Sequence, residues 1–344
     1  MKSPISLFPN LLFSIPLCLL LAACSGGKSD KTSPDNAPLP PEAEPTPPPP
    51  PPKPNPAKTL AATVSGTYNP ADLAAYSVTP PKNSPSIAKS PCIGAIAIDA
   101  DTGRVLLEEN ADALALPASM TKMMLLLLLQ ERIEAGTLAT NAVVPVSVRA
   151  AKTGGSQVYL DPRETFPVED LLYALMIQSA NDAAVALAEH AAGSCEAMVA
   201  LMNQRAAELG MRNTHFESVH GLPAPVGQPN DITTPRDMAI LSVELCQHPG
   251  ALRYTSTAFR VFRPAKPFEM RTHNPLLQRG TPGCDGLKTG YTKHAGYSIA
   301  VSVVRGNHRV VVVQMGSPDK DTRNTKLDAL LNAAFAALAT PSPN

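Results

Sequence analysis

The chain carries no surplus of either charge: its 344 residues hold 29 lysines and arginines against 29 aspartates and glutamates. No basic run stands out along it. A nucleic-acid partner calls for a concentrated positive face, so that class of partner is excluded at the outset. Cysteine is scarce, six in all. Neither C-x-x-C nor H-x-x-x-H spacing occurs, so no metal is expected, and nothing calls for a cofactor. There is no internal repeat. The apolar stretch from Leu11 to Ala23 is broken by Pro16 and is too short for a comfortable membrane span.

That stretch reads better as a leader. Lys2 precedes it and Leu21-Ala22-Ala23-Cys24 ends it, so residues 1–24 are expected to be a signal peptide. The terminal tetrapeptide resembles a bacterial lipobox, which makes Cys24 the expected lipidation site and the mature N-terminus. Residues 25–57 form a proline-rich linker with six consecutive prolines at Pro47–Pro52. Such composition cannot bury a core and favours extended polyproline II. Some thirty such residues reach roughly 90 Å, a stand-off between a lipid and a folded domain. Residues 58–91 are a poorly defined lead-in, and 92–340 are the expected domain, enough for one sizeable core. Cys92, Cys195, Cys246 and Cys284 remain in it. Export allows disulfides, and four cysteines permit three full pairings. Cys195 and Cys246, both in helical-looking sequence, are the pair expected to bridge.

Ile93–Ile98 and Val105–Leu107 flank an Asp/Gly turn and read as a hairpin. Tyr297–Val304 and Val310–Gln314 flank Gly306-Asn307 and read as a second. Between them Leu171–Ile177, Ala183–Ala192, Cys195–Leu209 and Thr234–Cys246 show apolar residues at helical spacing, and Leu327–Leu338 looks like a terminal amphipathic helix. Thr234-Pro235 is a start signal, Thr at the N-cap and Pro at the first helical position. The expected fold is α/β: an antiparallel sheet built from the chain termini and flanked by helices, with a helical lobe inserted.

Three short strings stand on this frame: Ser119-Met120-Thr121-Lys122, Ser179-Ala180-Asn181 and Lys288-Thr289-Gly290. Sixty residues separate the first two serines and 109 separate Ser179 from Lys288. Ser119 lies near a helix start that continues as the all-apolar Met123–Leu129, so that helix is buried. Lys122, three residues on, shares its face; burial favours its neutral form, which a general base needs. Taken alone, a lysine snorkelling from a core helix is the plainer reading. Ser179 and Asn181 could serve merely as helix caps, or point together into a cleft, one to relay a proton and one to grip a substrate carbonyl. Lys288-Thr289-Gly290 should open an edge strand to which an extended peptide adds. Lys288 and Thr289 then offer a cation and a hydroxyl to a carboxylate, and Gly290 a close backbone approach. S-x-x-K with S-D-N and K-T-G is the signature of class A β-lactamases and penicillin-binding proteins.

The chain resembles the serine D-alanyl-D-alanine carboxypeptidases, the low-molecular-mass penicillin-binding proteins, from about Ile93 to Leu338. Besides the three strings, the likeness rests on Leu116-Pro117-Ala118, Asn213-Thr214-His215-Phe216, His220-Gly221-Leu222, Thr234-Pro235-Arg236-Asp237, Ala295-Gly296-Tyr297 and Met315-Gly316. It implies a β-lactamase/transpeptidase-like fold with Ser119 as acylated nucleophile, Lys122 its base, Ser179 a proton relay and Asn181 a ligand of the substrate amide. Lys288 and Thr289 would bind near the leaving carboxylate, as would Arg323. The backbone N–H groups of Ser119 and Tyr291 would form the oxyanion hole. His273 falls where some relatives carry arginine. Larger members continue into a β-rich domain and a C-terminal anchor; here the sequence stops at Asn344, and the N-terminal lipid is expected to take over anchoring.

The implied partners are peptidoglycan stem peptides, β-lactam antibiotics as covalent inhibitors, and a membrane held through the lipid. The expected place is the periplasm-facing cell envelope, and Ser25 after Cys24 favours the outer membrane. Three other readings are weighed. A class A β-lactamase needs a glutamate in an E-x-x-L-N loop, and none occurs between Asn181 and Lys288. A DD-endopeptidase that cuts crosslinks usually carries Glu inside S-x-N, where this chain has Ala180. A non-catalytic wall-binding lipoprotein should have lost a catalytic residue, yet all are present.

Overall fold

The computed structural model describes residues 91–339 apart from residue 264. The expected leader, Cys24, the proline linker and the lead-in up to residue 90 lie outside the described residues. A hairpin of β1 (Gly94–Asp99) and β2 (Val105–Glu109) comes first. A helix-rich stretch follows, with α1 (Lys122–Glu134), α2 (Val148–Lys152), α3 (Val168–Tyr173), α4 (Asn181–Ala192), α5 (Cys195–Glu208), α6 (Pro235–Cys246), α7 (Pro249–Thr255) and α8 (Pro275–Gln278). Two small hairpins interrupt it: β3 (Val143–Pro145) with β4 (Thr165–Pro167), and β5 (Phe259–Phe262) with β6 (Phe268–Arg271). The chain returns as β7 (Cys284–Thr292), β8 (Gly296–Arg305) and β9 (His308–Ser317) and closes with α9 (Lys320–Ala339).

Strands from the two ends of the domain join in one antiparallel sheet, ordered β2-β1-β9-β8-β7. The expected architecture is the observed one. Residues of one strand alternate between faces, and here both faces are covered. Ile96, Ile98, Val311 and Val313 point into the larger core, shared with α1 and α6. Ala95, Ala97, Val310 and Val312 meet Leu327, Leu330 and Leu331 of α9 on the other side. That explains the unbroken valine run of β9: a strand buried on both faces shows no polar alternation. Each fully buried valine contributes about 1.5–3 kcal/mol.

Caps punctuate the helical lobe. The Thr234 side chain accepts from Asp237 N with Pro235 in the first turn of α6, and Ser194 accepts from Ala197 N at the start of α5. One expectation fails. Cys195 and Cys246 are both free, as are Cys92 and Cys284. Cys195 opens α5 in the helical lobe, whereas Cys246 ends α6 against the sheet, 3.9 Å from Arg309 Nη1 of β9. Helical sequence around both cysteines set no distance between them. Among the described residues, no single helix is long and apolar enough to cross a membrane.

Candidate active site

Ser119 sits on a single 3-10 turn, Ala118–Thr121, that leads directly into α1. The residue before it, Ala118, is held at φ 49°, a left-handed conformation that a non-glycine residue adopts only where its surroundings impose it. Those surroundings are visible. Gly221 lies so close that a Cβ there would fall 1.9 Å from Ala118 O, and a Cβ on Gly290 would fall 2.6 Å from Pro117 O. The turn is gripped between the 220–222 loop and edge strand β7. The sequence reading gave Gly290 to a close substrate backbone; in the structure the Ser119 turn occupies the side where a Cβ would sit.

Lys122, the first residue of α1, is fully buried. Its Nζ lies 3.1 Å from Ser119 Oγ, 2.7 Å from Asn181 Oδ1 and 2.7 Å from the carbonyl of His220. Burial holds its pKa well below the usual lysine range, and the charge of Lys288 pushes the same way, while Asp231 and Asp182 oppose. A neutral amine has two N–H donors and one lone pair. Asn181 Oδ1 and the His220 carbonyl are pure acceptors and take the two N–H groups, which leaves the lone pair for the Ser119 hydroxyl. The geometry therefore orients Lys122 as a base toward Ser119.

Asn181 is fixed at both ends of its amide. Its Nδ2 donates to Gly154 O at 2.7 Å, and the backbone N–H donates to Ser156 O at 2.7 Å. The next residue, Asp182, accepts from the N–H groups of Val158 and Leu160. The first turn of α4 thus holds the 154–160 loop beside the cleft. Ser179 precedes it at φ 61°, and its buried Oγ has no hydrogen-bond partner among the described residues. A buried hydroxyl left unpaired is costly. It is available to a proton in transit.

Lys288, Thr289 and Gly290 lie on β7, the sheet's edge strand, as expected. Lys288 is buried, donates to Thr289 O at 3.0 Å and has no carboxylate partner among the described residues. Burial pushes its pKa down to about 7. Arg323, near the start of α9, is buried too; its guanidinium reaches only the Asn324 side chain, with no acidic partner among the described residues. His273 is exposed. Partial desolvation and then the charges of Lys288, Lys320 and Arg323 push its imidazole down to about 4, so it adds no charge to theirs at neutral pH. Tyr291 follows Gly290 with its ring exposed and stacked on Tyr297 at 4.2 Å. Lys288 and Arg323 are thus cations without an acidic partner among the described residues, and Lys288 is near enough to act on the charge of Lys122.

Two supports escaped the sequence reading. Asp231 Oδ2 accepts from Thr121 Oγ1 at 3.1 Å and from Ser218 Oγ at 2.9 Å, and Oδ1 accepts from the N–H groups of Glu217 and Ser218. It ties the turn of Ser119 to the loop that delivers the His220 carbonyl. His220 itself is kept neutral, its pKa pushed down to about 4 by burial and by Lys122, and its Nδ1 accepts from Leu222 N. The sequence offered His220-Gly221-Leu222 as a likeness without a role, and gave no signal for Asp231.

The sequence profile described as D-alanyl-D-alanine carboxypeptidase matches residues 82–319. The chain is 37% identical over 248 residues to the D-alanyl-D-alanine carboxypeptidase DacF of Bacillus subtilis, covering 72% of this chain and 62% of that one. It is 35% identical over 259 residues to DacA of Escherichia coli, with the same coverages. The chain thus spans about 62% of the length of these curated relatives. Among solved structures, the D-alanyl-D-alanine carboxypeptidase DacD of Francisella tularensis superposes with a TM-score of 0.69 at 27% identity, covering 78% of this chain and 76% of that one. An ampicillin-bound penicillin-binding protein of Listeria monocytogenes does so with a TM-score of 0.63 at 29% identity, covering 71% and 97%.

Proposed function

We propose a serine DD-carboxypeptidase, starting from the fact that the chain belongs to the D-alanyl-D-alanine carboxypeptidase family. The substrate is a peptidoglycan pentapeptide stem ending in D-Ala-D-Ala. Ser119 Oγ attacks the carbonyl between the two D-alanines while its proton passes to Lys122 Nζ. The N–H groups of Ser119 and Tyr291 meet the developing oxyanion. The leaving D-alanine amine takes a proton by way of Ser179, whose hydroxyl has no other partner among the described residues. Water then cleaves the ester on Ser119. Lys288, Thr289 and Arg323 hold the terminal carboxylate, and Asn181 stays in reach of the substrate amide. A β-lactam mimics that terminus and acylates the same serine, in keeping with the ampicillin-bound relative.

The observation that carries this reading is Lys122 Nζ, buried and held by Asn181 and His220 with Ser119 Oγ at 3.1 Å. In this account Cys24 bears the lipid, and the linker holds the domain off the envelope membrane on its periplasmic side. The test is D-alanine release by the full chain from diacetyl-Lys-D-Ala-D-Ala, beside cleavage of a crosslinked peptide dimer. Release should fall by roughly 10^4-fold or more in Ser119→Ala, the scale of losing a nucleophile. Cleavage of the dimer without D-alanine release would replace the reading with a DD-endopeptidase.

A further inference from the structure

The 154–160 loop has a second grip, from a residue outside the cleft. Arg263 lies in the turn that follows β5, at φ 55°, a left-handed backbone that a non-glycine residue keeps only under constraint. Its side chain is largely buried, with the guanidinium 4.8 and 5.1 Å from the centres of the Phe262 and Phe166 rings. Nη1 donates to Val158 O at 2.6 Å and Nη2 to Tyr159 O at 2.8 Å, while Nε and Nη2 each donate to a Glu164 carboxylate oxygen at 2.8 Å. Successive carbonyls of an extended chain point opposite ways. Tyr159 stands at φ 56°, which turns its carbonyl so that both meet one guanidinium. Val158 is therefore held at both backbone groups, its N–H by Asp182 and its carbonyl by Arg263. Earlier in the same loop stand the two acceptors that fix Asn181, Gly154 O for its amide and Ser156 O for its backbone N–H. Asn181 in turn presents Oδ1 to Lys122 Nζ at 2.7 Å. A planar fork can hold two carbonyls and a carboxylate in one fixed arrangement, whereas a lysine ammonium is a point charge.

We infer that Arg263 is a positioning residue of the active site: by pinning the 154–160 loop from outside, it keeps the Asn181 amide aligned with Lys122. The inference rests on the carboxypeptidase reading above for the roles of Asn181 and Lys122. Loosening such a support by about 1 Å costs up to roughly 10^2-fold in rate.

The test is a double-mutant cycle on the full chain, read as the rate of acylation by benzylpenicillin, with urea unfolding of each variant alongside. Arg263→Ala should slow acylation about tenfold or more when Asn181 is present. In an Asn181→Ala background the same change should cost less than about twofold, because the amide it positions is gone. Arg263→Lys, which keeps the charge and loses the fork, should be slow as well. Glu164→Gln weakens the ion pair and leaves both carbonyl bonds, so its rate should stay within about twofold of the wild-type rate. A general structural role would make Arg263→Ala cost the same factor in both backgrounds, and that result would overturn the inference. So would a Glu164→Gln loss equal to that of Arg263→Ala, or an Arg263→Ala rate within about twofold of wild type. A wild-type chain that acylates with penicillin but releases no D-alanine from diacetyl-Lys-D-Ala-D-Ala would overturn the carboxypeptidase reading, whereas the cycle alone decides the role of Arg263.

Discussion

Lys122 owes its chemistry first to burial and then to charged neighbours of both signs: Lys288 lowers its pKa, and Asp231 and Asp182 raise it. In the proposed mechanism acylation needs the neutral amine, so its rate should fall as pH drops through the Lys122 pKa. Replacing Asp231 with Asn removes an anion, which lowers that pKa and moves the acid limb to lower pH. Replacing Lys288 with Met removes a cation, which raises the pKa and moves the limb to higher pH. Each shift should be on the order of one pH unit. The measurement is the rate of penicillin acylation against pH, where limb position is separable from the lower absolute rate that each variant will show. Limbs that move the same way, or stay in place, would break the assignment of the base. At this scale Ser119 and Lys122 were legible because residues three apart on a turn must meet. Asp231 was not, because its partner Thr121 is 110 residues away and no local pattern links them.

Many long-range polar ties join the elements, and one of them clamps the terminal helix. Lys326 of α9 has a fully buried side chain and lies 2.6 Å from Glu109 Oε2 at the end of β2, beside the Leu327–Leu331 contact with the sheet. A buried charge that loses its carboxylate costs more than the pair was worth, even where a weaker neighbour such as the Cys92 thiol stays beside it. Glu109→Ala should therefore destabilise the domain by about 2 kcal/mol, a figure discounted because Glu109 is one-third exposed. Adding Lys326→Met to that variant should recover most of the loss. Urea unfolding monitored by circular dichroism measures both. A cost below about 0.5 kcal/mol for Glu109→Ala would show that the tie is solvent-relaxed. Element existence was legible where an apolar pattern ran long, as in the helical period of α5 and α6 and the unbroken valine run of β9. The β3–β4 and β5–β6 hairpins were not, since strands of three or four residues carry too few side chains to show a period.

At the scale of the molecule, the two ends of the domain build the sheet and the middle builds the helical lobe, so the three short strings converge only once the fold closes. Ser119 comes from a turn after the first hairpin, Ser179 and Asn181 from the lobe, and Lys288 from the returning edge strand. The order and spacing of the three strings announced that convergence, and strands at both ends of the domain with helices between them announced a shared sheet, which β1 and β9 close. What stayed hidden was which backbone carbonyls hold Lys122 and Asn181: the His220 oxygen accepts from the lysine and the Gly154 oxygen from the Asn181 amide, and neither carries a side-chain signature. The central claim is that Ser119, activated by Lys122, is the group that becomes acylated. The direct measurement is intact-mass and peptide-mapping mass spectrometry of the full chain after reaction with benzylpenicillin. The account predicts a single penicilloyl adduct on the peptide that contains Ser119, absent in Ser119→Ala and formed far more slowly in Lys122→Ala. An adduct on another residue, or one that persists in Ser119→Ala, would contradict it.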